Sequence, residues 1–179
     1  MLLVIMGVSA SGKTTIGQKL AQRLEWIFAD ADDYHSPENR ARIHEGIALT
    51  DADRAPWLAQ LHELLDNWIE NGINGILACS ALKREYRAVL ADDISPAELK
   101  FVFLDAPQWL VEERAEARQH ALAPAALVAS QFDTLEPPTD ALSIRMVDDN
   151  GVPKSVEAVV NEIVVGLGIK TADAWHDEH

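Results

Sequence analysis

Residues 7–14 read Gly7-Val8-Ser9-Ala10-Ser11-Gly12-Lys13-Thr14, which completes the phosphate-loop pattern G-x-x-x-x-G-K-[ST]. Glycines at the two fixed positions let the backbone turn tightly, so that successive N–H groups face an anion. The positive end of the helix that follows points at the same place. This predicts contacts to the phosphates of a nucleoside triphosphate from Gly7, Ser9, Ala10, Ser11, Gly12, Lys13, Thr14 and Thr15. Lys13 is expected to reach the outer phosphates and the Thr14 hydroxyl to join a Mg²⁺ site. The context is the required one. Before the loop runs Leu2-Leu3-Val4-Ile5-Met6, of buried-strand composition, and after it Ile16, Leu20, Ala21 and Leu24 recur on one helical face.

Two further sets of residues could do chemistry beside this loop. Asp30 and Asp32 follow a second apolar run, 26–29. At the carboxyl edge of an open α/β sheet such residues face the ligand, and carboxylates two apart in an extended segment point the same way. One could hold Mg²⁺ and the other accept a hydroxyl proton; a solvated acidic turn would look alike. Arg114 and Arg118 lie four apart on one helical face and could converge on a migrating phosphoryl group, or pair with Glu112, Glu113 and Glu116. Lys83, Arg84 and Arg87 could bind a substrate carboxylate or form an exposed basic face.

The elements that must position these groups alternate. Apolar runs at 2–6, 26–29, 75–80, 101–105 and 142–147 interleave with helical patterns at 15–24, 53–70, 83–90, 107–119, after Pro124, and at 155–167. This alternation predicts an α/β fold with a parallel sheet covered on both faces. The pattern at 53–70 is the clearest: Trp57, Leu58, Leu61, Leu64, Leu65, Trp68 and Ile69 form a stripe with two tryptophans, and part of this face could contribute to a dimer. At 179 residues, without repeats or linkers, the chain reads as one domain over 1–170 with a loose tail at 171–179.

Composition narrows the function classes. A net charge of −14 argues against a nucleic-acid surface. No apolar run has membrane-spanning length and no leader pattern precedes the first strand. One cysteine, Cys79, excludes an internal disulfide and suits the cytoplasm as a buried core residue. His176 and His179 in the tail have no further ligands spaced to complete a metal site.

Several stretches together resemble the gluconokinase family of small P-loop kinases, relatives of shikimate kinases. They are Asp30-x-Asp32 with His35 and Asn39, then 46–58 with its Asp51-x-Asp53-Arg54-x-Pro56-Trp57-Leu58 block, then Cys79-Ser80-Ala81-Leu82-Lys83-Arg84-x-Tyr86-Arg87. The last is Ser130-Gln131-Phe132-x-Thr134-Leu135-Glu136-x-Pro138. The resemblance implies a three-layer α/β/α P-loop fold with a five-stranded parallel sheet. It also implies a helical lid at about 107–136 and ATP- and Mg²⁺-dependent phosphorylation of D-gluconate to 6-phospho-D-gluconate, by a cytoplasmic homodimer. By analogy with related kinases, Lys13, Asp32 and Arg118 are the catalytic groups, and Thr14 and Asp30 hold the metal. Arg114 and Arg118 close over ATP, while Asp32, His35, Arg54, Lys83 and Arg87 hold the sugar acid.

The chain departs from the family at His120-Ala121-Leu122, where the family has Gly-His-Phe, and more mildly at Ala31, Arg42 and Ala48. A shikimate-type or other sugar-acid kinase is the nearest alternative, but Ser80-Ala81-Leu82-Lys83 stands where shikimate kinases have glycines. A nucleotide-dependent switch would need an Asn-Lys-x-Asp guanine reader, which is absent, and Asp148-x-x-Gly151 comes too late in the chain.

Overall fold

The computed structural model describes residues 1–117 and 126–170. The expectations placed on Arg118, on the run 120–122 and on the tail 171–179 lie outside the described residues.

Strand β1 (Leu2–Met6) is fully buried, and its side chains alternate between two cores. Leu3 and Ile5 join one apolar cluster; Leu2, Val4 and Met6 join the other. A strand with no polar face must lie inside the sheet, and β1 does, between β3 (Gly75–Ala78) and β4 (Leu99–Asp105). With β2 (Ile27–Asp30) and β5 (Leu142–Arg145) at the edges, the order is β2-β3-β1-β4-β5, all parallel. The expected five-stranded α/β architecture is present. The chain turns to one side of β1 for β2 and β3 and to the other for β4 and β5. Loops at the carboxyl end of β1 therefore open onto the crevice where such sheets bind ligands.

Helices α1 (Lys13–Leu24) and α7 (Val156–Leu167) bury Ile16, Leu20, Val160 and Ile163 against one face of the sheet. Helices α3 (Asp51–Glu70) and α4 (Arg84–Leu90) cover the other. Helix α3 starts two residues before the apolar stripe predicts, because Thr50 and Asp53 form a reciprocal capping box that fixes its first turn. Trp57 and Trp68 on its apolar stripe are 5% and 6% exposed inside the core. These two side chains therefore pack within the chain.

The acidic stretch after β2 turns, and a short helix follows it. Residues Ala31–Tyr34 form a 3-10 turn after β2, and α2 (Pro37–His44) follows it. Helix α2 buries none of its residues, so no apolar period announces it; its signal is the Ser36 cap followed by Pro37. Helices α5 (Gln108–Ala117) and α6 (Ala126–Thr134) pack together near the phosphate loop, with Val111 and Val128 buried beneath them. Among the described residues no helix is long and apolar enough to cross a membrane.

Candidate active site

The loop between β1 and α1 has the backbone its glycines allow. Gly7 sits at φ +147°, and a side chain there would bring its Cβ within 2.9 Å of Ser11 Oγ and 3.1 Å of Leu104 O. Gly12, at φ +110°, stands at the N-terminus of α1 with no side chain capping the helix, so that end is left for an anion. Ser11 Oγ is fully buried and has no hydrogen-bond partner among the described residues. Lys13 Nζ lies 2.9 Å from Val8 O, which folds the lysine over the loop it belongs to.

At the foot of the loop, Thr14 Oγ1 donates to Asp30 Oδ2 at 2.6 Å. A hydroxyl and a carboxylate beside a phosphate cradle form the oxygen set that suits Mg²⁺, with phosphate oxygens and water completing its shell. Among the described residues no cluster of three or more His, Cys, Asp or Glu side chains could hold a metal by itself.

Asp30 and Asp32 do not share an extended segment as expected. The other oxygen of Asp30 caps the 3-10 turn by accepting from Asp32 N at 3.0 Å, which swings Asp32 toward Lys13. Asp32 then lines a cavity with Lys13, Ser9, His35, Arg54 and Trp57. Part of its surface faces that cavity, yet the surrounding protein disfavours its charge. Desolvation raises its pKa above the usual carboxylate value, with neighbouring Asp30 and Asp33 pushing the same way and Lys13 opposing.

His35 stacks on Trp57, ring centroids 4.4 Å apart and planes 13° from parallel. Its Nδ1 is buried without a hydrogen-bond partner among the described residues. Burial, with Arg54 and then Arg40 nearby, lowers its pKa from 6.5 to about 4, so the ring is neutral at pH 7. Trp57 Nε1 donates to Ala31 O at 2.7 Å and thereby pins the acidic turn to α3. Its role as a wall of the site is missed by a reading that assigns it wholly to the apolar stripe.

Arg54 reaches the same cavity from α3, its guanidinium 5.6 Å above the Tyr86 ring. The remaining two candidates are placed elsewhere. Lys83 Nζ binds both oxygens of Asp51 at 2.9 Å, an ion pair that lowers the Asp51 pKa and raises that of Lys83. Arg87 is 9% exposed and donates to Ala81 O and Leu82 O at 3.0 and 3.1 Å. It lines a separate recess of about 470 Å³ with Arg84, Phe101 and Glu136. Neither Lys83 nor Arg87 lines the cavity with Lys13 and Asp32: one braces α3 against α4, and the other holds the turn that follows β3.

On the far side of the loop, Arg114 NH1 donates to Ser11 O at 3.0 Å. It lines a pocket of about 290 Å³ with Gly12, Thr15, Met146, Lys154 and Val156. This pocket adjoins the amino-terminal end of α1. Lys154 and Met146, absent from the expected set, follow from β5 ending at the same sheet edge. Cys79 is buried, its thiol pushed up to about 12 by desolvation, as suits a core residue.

A phosphate cradle with a metal-suited oxygen pair at its foot, beside a cavity walled by a carboxylate and an arginine, defines a small P-loop kinase. A family model described as an AAA domain matches residues 2–138. A protein of Xenopus tropicalis named a probable gluconokinase is 41% identical, over 91% of this chain and 91% of its own. A gluconokinase of Gluconobacter oxydans is also 41% identical, over 90% and 88%. The crystal structure of a gluconokinase from Sinorhizobium meliloti superposes with a TM-score of 0.78 at 34% identity, covering 99% of this chain and 97% of that one. The chain belongs to the gluconokinase family.

Proposed function

We propose that this protein transfers the γ-phosphoryl group of ATP to the terminal hydroxyl of D-gluconate, giving 6-phospho-D-gluconate and ADP. The observation that carries this reading is the cavity that brings Lys13, Asp32, His35 and Arg54 together beside the phosphate loop. A sugar acid needs a cation for its carboxylate and polar groups for its hydroxyls. Arg54 supplies the first, and the neutral His35, which lines the cavity, supplies one of the second. The stacked Trp57 fixes the ring that does so.

In this mechanism Asp32 accepts the proton of the acceptor hydroxyl as its oxygen bonds to the γ-phosphorus and the bond to the bridging oxygen of ADP breaks. The raised pKa makes Asp32 a stronger base than an ordinary surface carboxylate. Lys13 and the loop amides follow the charge on the phosphates. Thr14 and Asp30 would hold Mg²⁺, which neutralises phosphate charge and aligns the outer phosphates. Arg114, already seated on the loop, binds from the nucleotide side. The reading includes a single catalytic domain over 1–170, with the lid at about 107–136 that the family resemblance implies. The cytoplasm suits the buried thiol, and the homodimer follows from the family resemblance.

The test is ADP release from ATP·Mg²⁺ in parallel with D-gluconate, shikimate, other aldonates and no acceptor. Release that depends on D-gluconate, with a phosphorylated product, is the expected result. Equal release in every reaction would make the protein an ATPase and sink the proposal.

A further inference from the structure

Gln131 on α6 reaches across to the phosphate loop and holds one residue of it by two bonds. Ser9 N donates to Gln131 Oε1 at 2.6 Å, and Gln131 Nε2 donates to Ser9 Oγ at 3.0 Å. The loop's own internal bond is Ser11 N to Val8 O at 3.2 Å, which leaves the Ser9 amide facing outward for this clamp. Ala10, the next residue, is in the left-handed region at φ 60°. The loop thus bends sharply just where Gln131 grips it.

Helix α6 does not need this clamp for its position. Val128 is buried, Phe132 and Leu135 pack on the core, and Glu136 N donates to Leu82 O at 2.9 Å while its carboxylate accepts from Arg84 N at 2.7 Å. An anchored helix that spends a carboxamide on one phosphate-loop residue is using it to shape the loop. A carboxamide carries two N–H donors and two acceptor lone pairs, and Ser9 engages one of each. Gln131 also lines the cavity with Lys13 and Asp32. Its remaining N–H and lone pair can therefore meet an acceptor hydroxyl.

We propose that Gln131 is a positioning residue that couples the two halves of the site: its carboxamide holds Ser9 of the phosphate loop and orients the acceptor beside it. This rests on the kinase reading above. A transfer in which both partners are held through one rigid group loses rate when that group goes, even with both substrates bound.

The test uses the full chain with Gln131→Met, which keeps length and packing but removes both bonds, Ser9→Ala, which removes one, and the double variant. For Gln131→Met the expected result is a kcat lower by about tenfold to a hundredfold, with KM for ATP within about threefold. Thermal melting should be near that of the wild type. Ser9→Ala should cost less, and the double variant should be within about twofold of Gln131→Met, since both changes break one interaction.

Hydrogen exchange over residues 7–12, measured without any acceptor, should quicken in Gln131→Met. Quickened exchange in a chain that ignores D-gluconate would keep the clamp and defeat the acceptor assignment. Three results would overturn the proposal: wild-type kcat and exchange in Gln131→Met, a raised KM for ATP with kcat unchanged, or single effects that simply multiply in the double variant.

Discussion

Replacing His35 by phenylalanine should remove a stability loss that the wild type suffers on mild acidification. In the folded chain the imidazole is stacked on Trp57, with Nδ1 buried and unpaired among the described residues. Burial first, then Arg54 and Arg40, lower its pKa from 6.5 to about 4. The unfolded chain therefore binds a proton at this ring below about pH 6.5, while the folded chain does not until about pH 4. Between those values the unfolded state holds more protons and gains on the folded one as pH falls. The ionisation of His35 thus costs nothing at neutral pH, its penalty grows through this window, and it levels off below about pH 4.

At about 1.4 kcal/mol per pH unit the gap sets a ceiling of about 3 kcal/mol. Part of the ring is open to cavity water, so about half of that, ~1.5 kcal/mol, is the expected loss. Asp32, with its raised pKa, works in the opposite sense: the folded chain takes up its proton first and gains stability as pH falls through that value. Asp51 and Asp53, with lowered pKa values, lose their contribution only below the ordinary carboxylate range. All three are common to wild type and variant, so the difference between the two isolates His35. Urea denaturation followed by circular dichroism, from about pH 7 to about pH 4.5, reads that difference. Curves for the two proteins that stay parallel to within about 0.3 kcal/mol across this range would refute the reasoning, since a depressed histidine must separate them.

Other predictions address catalysis and the fold separately. Lys13→Ala should lower kcat/KM by about a thousandfold or more while circular dichroism is unchanged, and near-normal turnover would overturn the phosphate site. Asp32→Asn should reduce kcat by about a hundredfold to ten-thousandfold with little change in KM for D-gluconate; a wild-type kcat would place the base elsewhere. Thr50→Ala breaks the capping box of α3 and should cost about 1 kcal/mol. That corresponds to a melting-point drop of about 2–4 °C, and an unchanged melting point would show that the cap does not hold the helix.

What could be read from the sequence is whatever a short spacing encodes. The phosphate loop is local: its glycines, Lys13 and Thr14 define a backbone path and a helix end within eight residues. The apolar run of β1 and the stripe of α3 likewise report burial through their own periods. The Asp30–Asp32 pair is legible too, although a carboxylate-capped turn, not a shared extended face, orients Asp32.

The contacts that spacing does not encode have a different physical cause. Lys83, Arg84 and Arg87 form one basic run, yet Lys83 pairs with Asp51, thirty-two residues away, and Arg87 is turned into the turn that follows β3. A run of like charges carries no record of which distant acceptor each member will find. Gln131 likewise finds its partner far off, since Ser9 lies 122 residues distant. Trp57 was hidden by its own regularity. A side chain on the core stripe of a helix can also present its indole N–H to Ala31 and its face to His35, because the stripe ends at the sheet edge where the ligand enters. Position along an element thus decides whether an apolar residue is only core. The same spacing in the middle of α3 makes Leu61 and Leu65 packing alone, and at its amino end makes Trp57 a wall of the site.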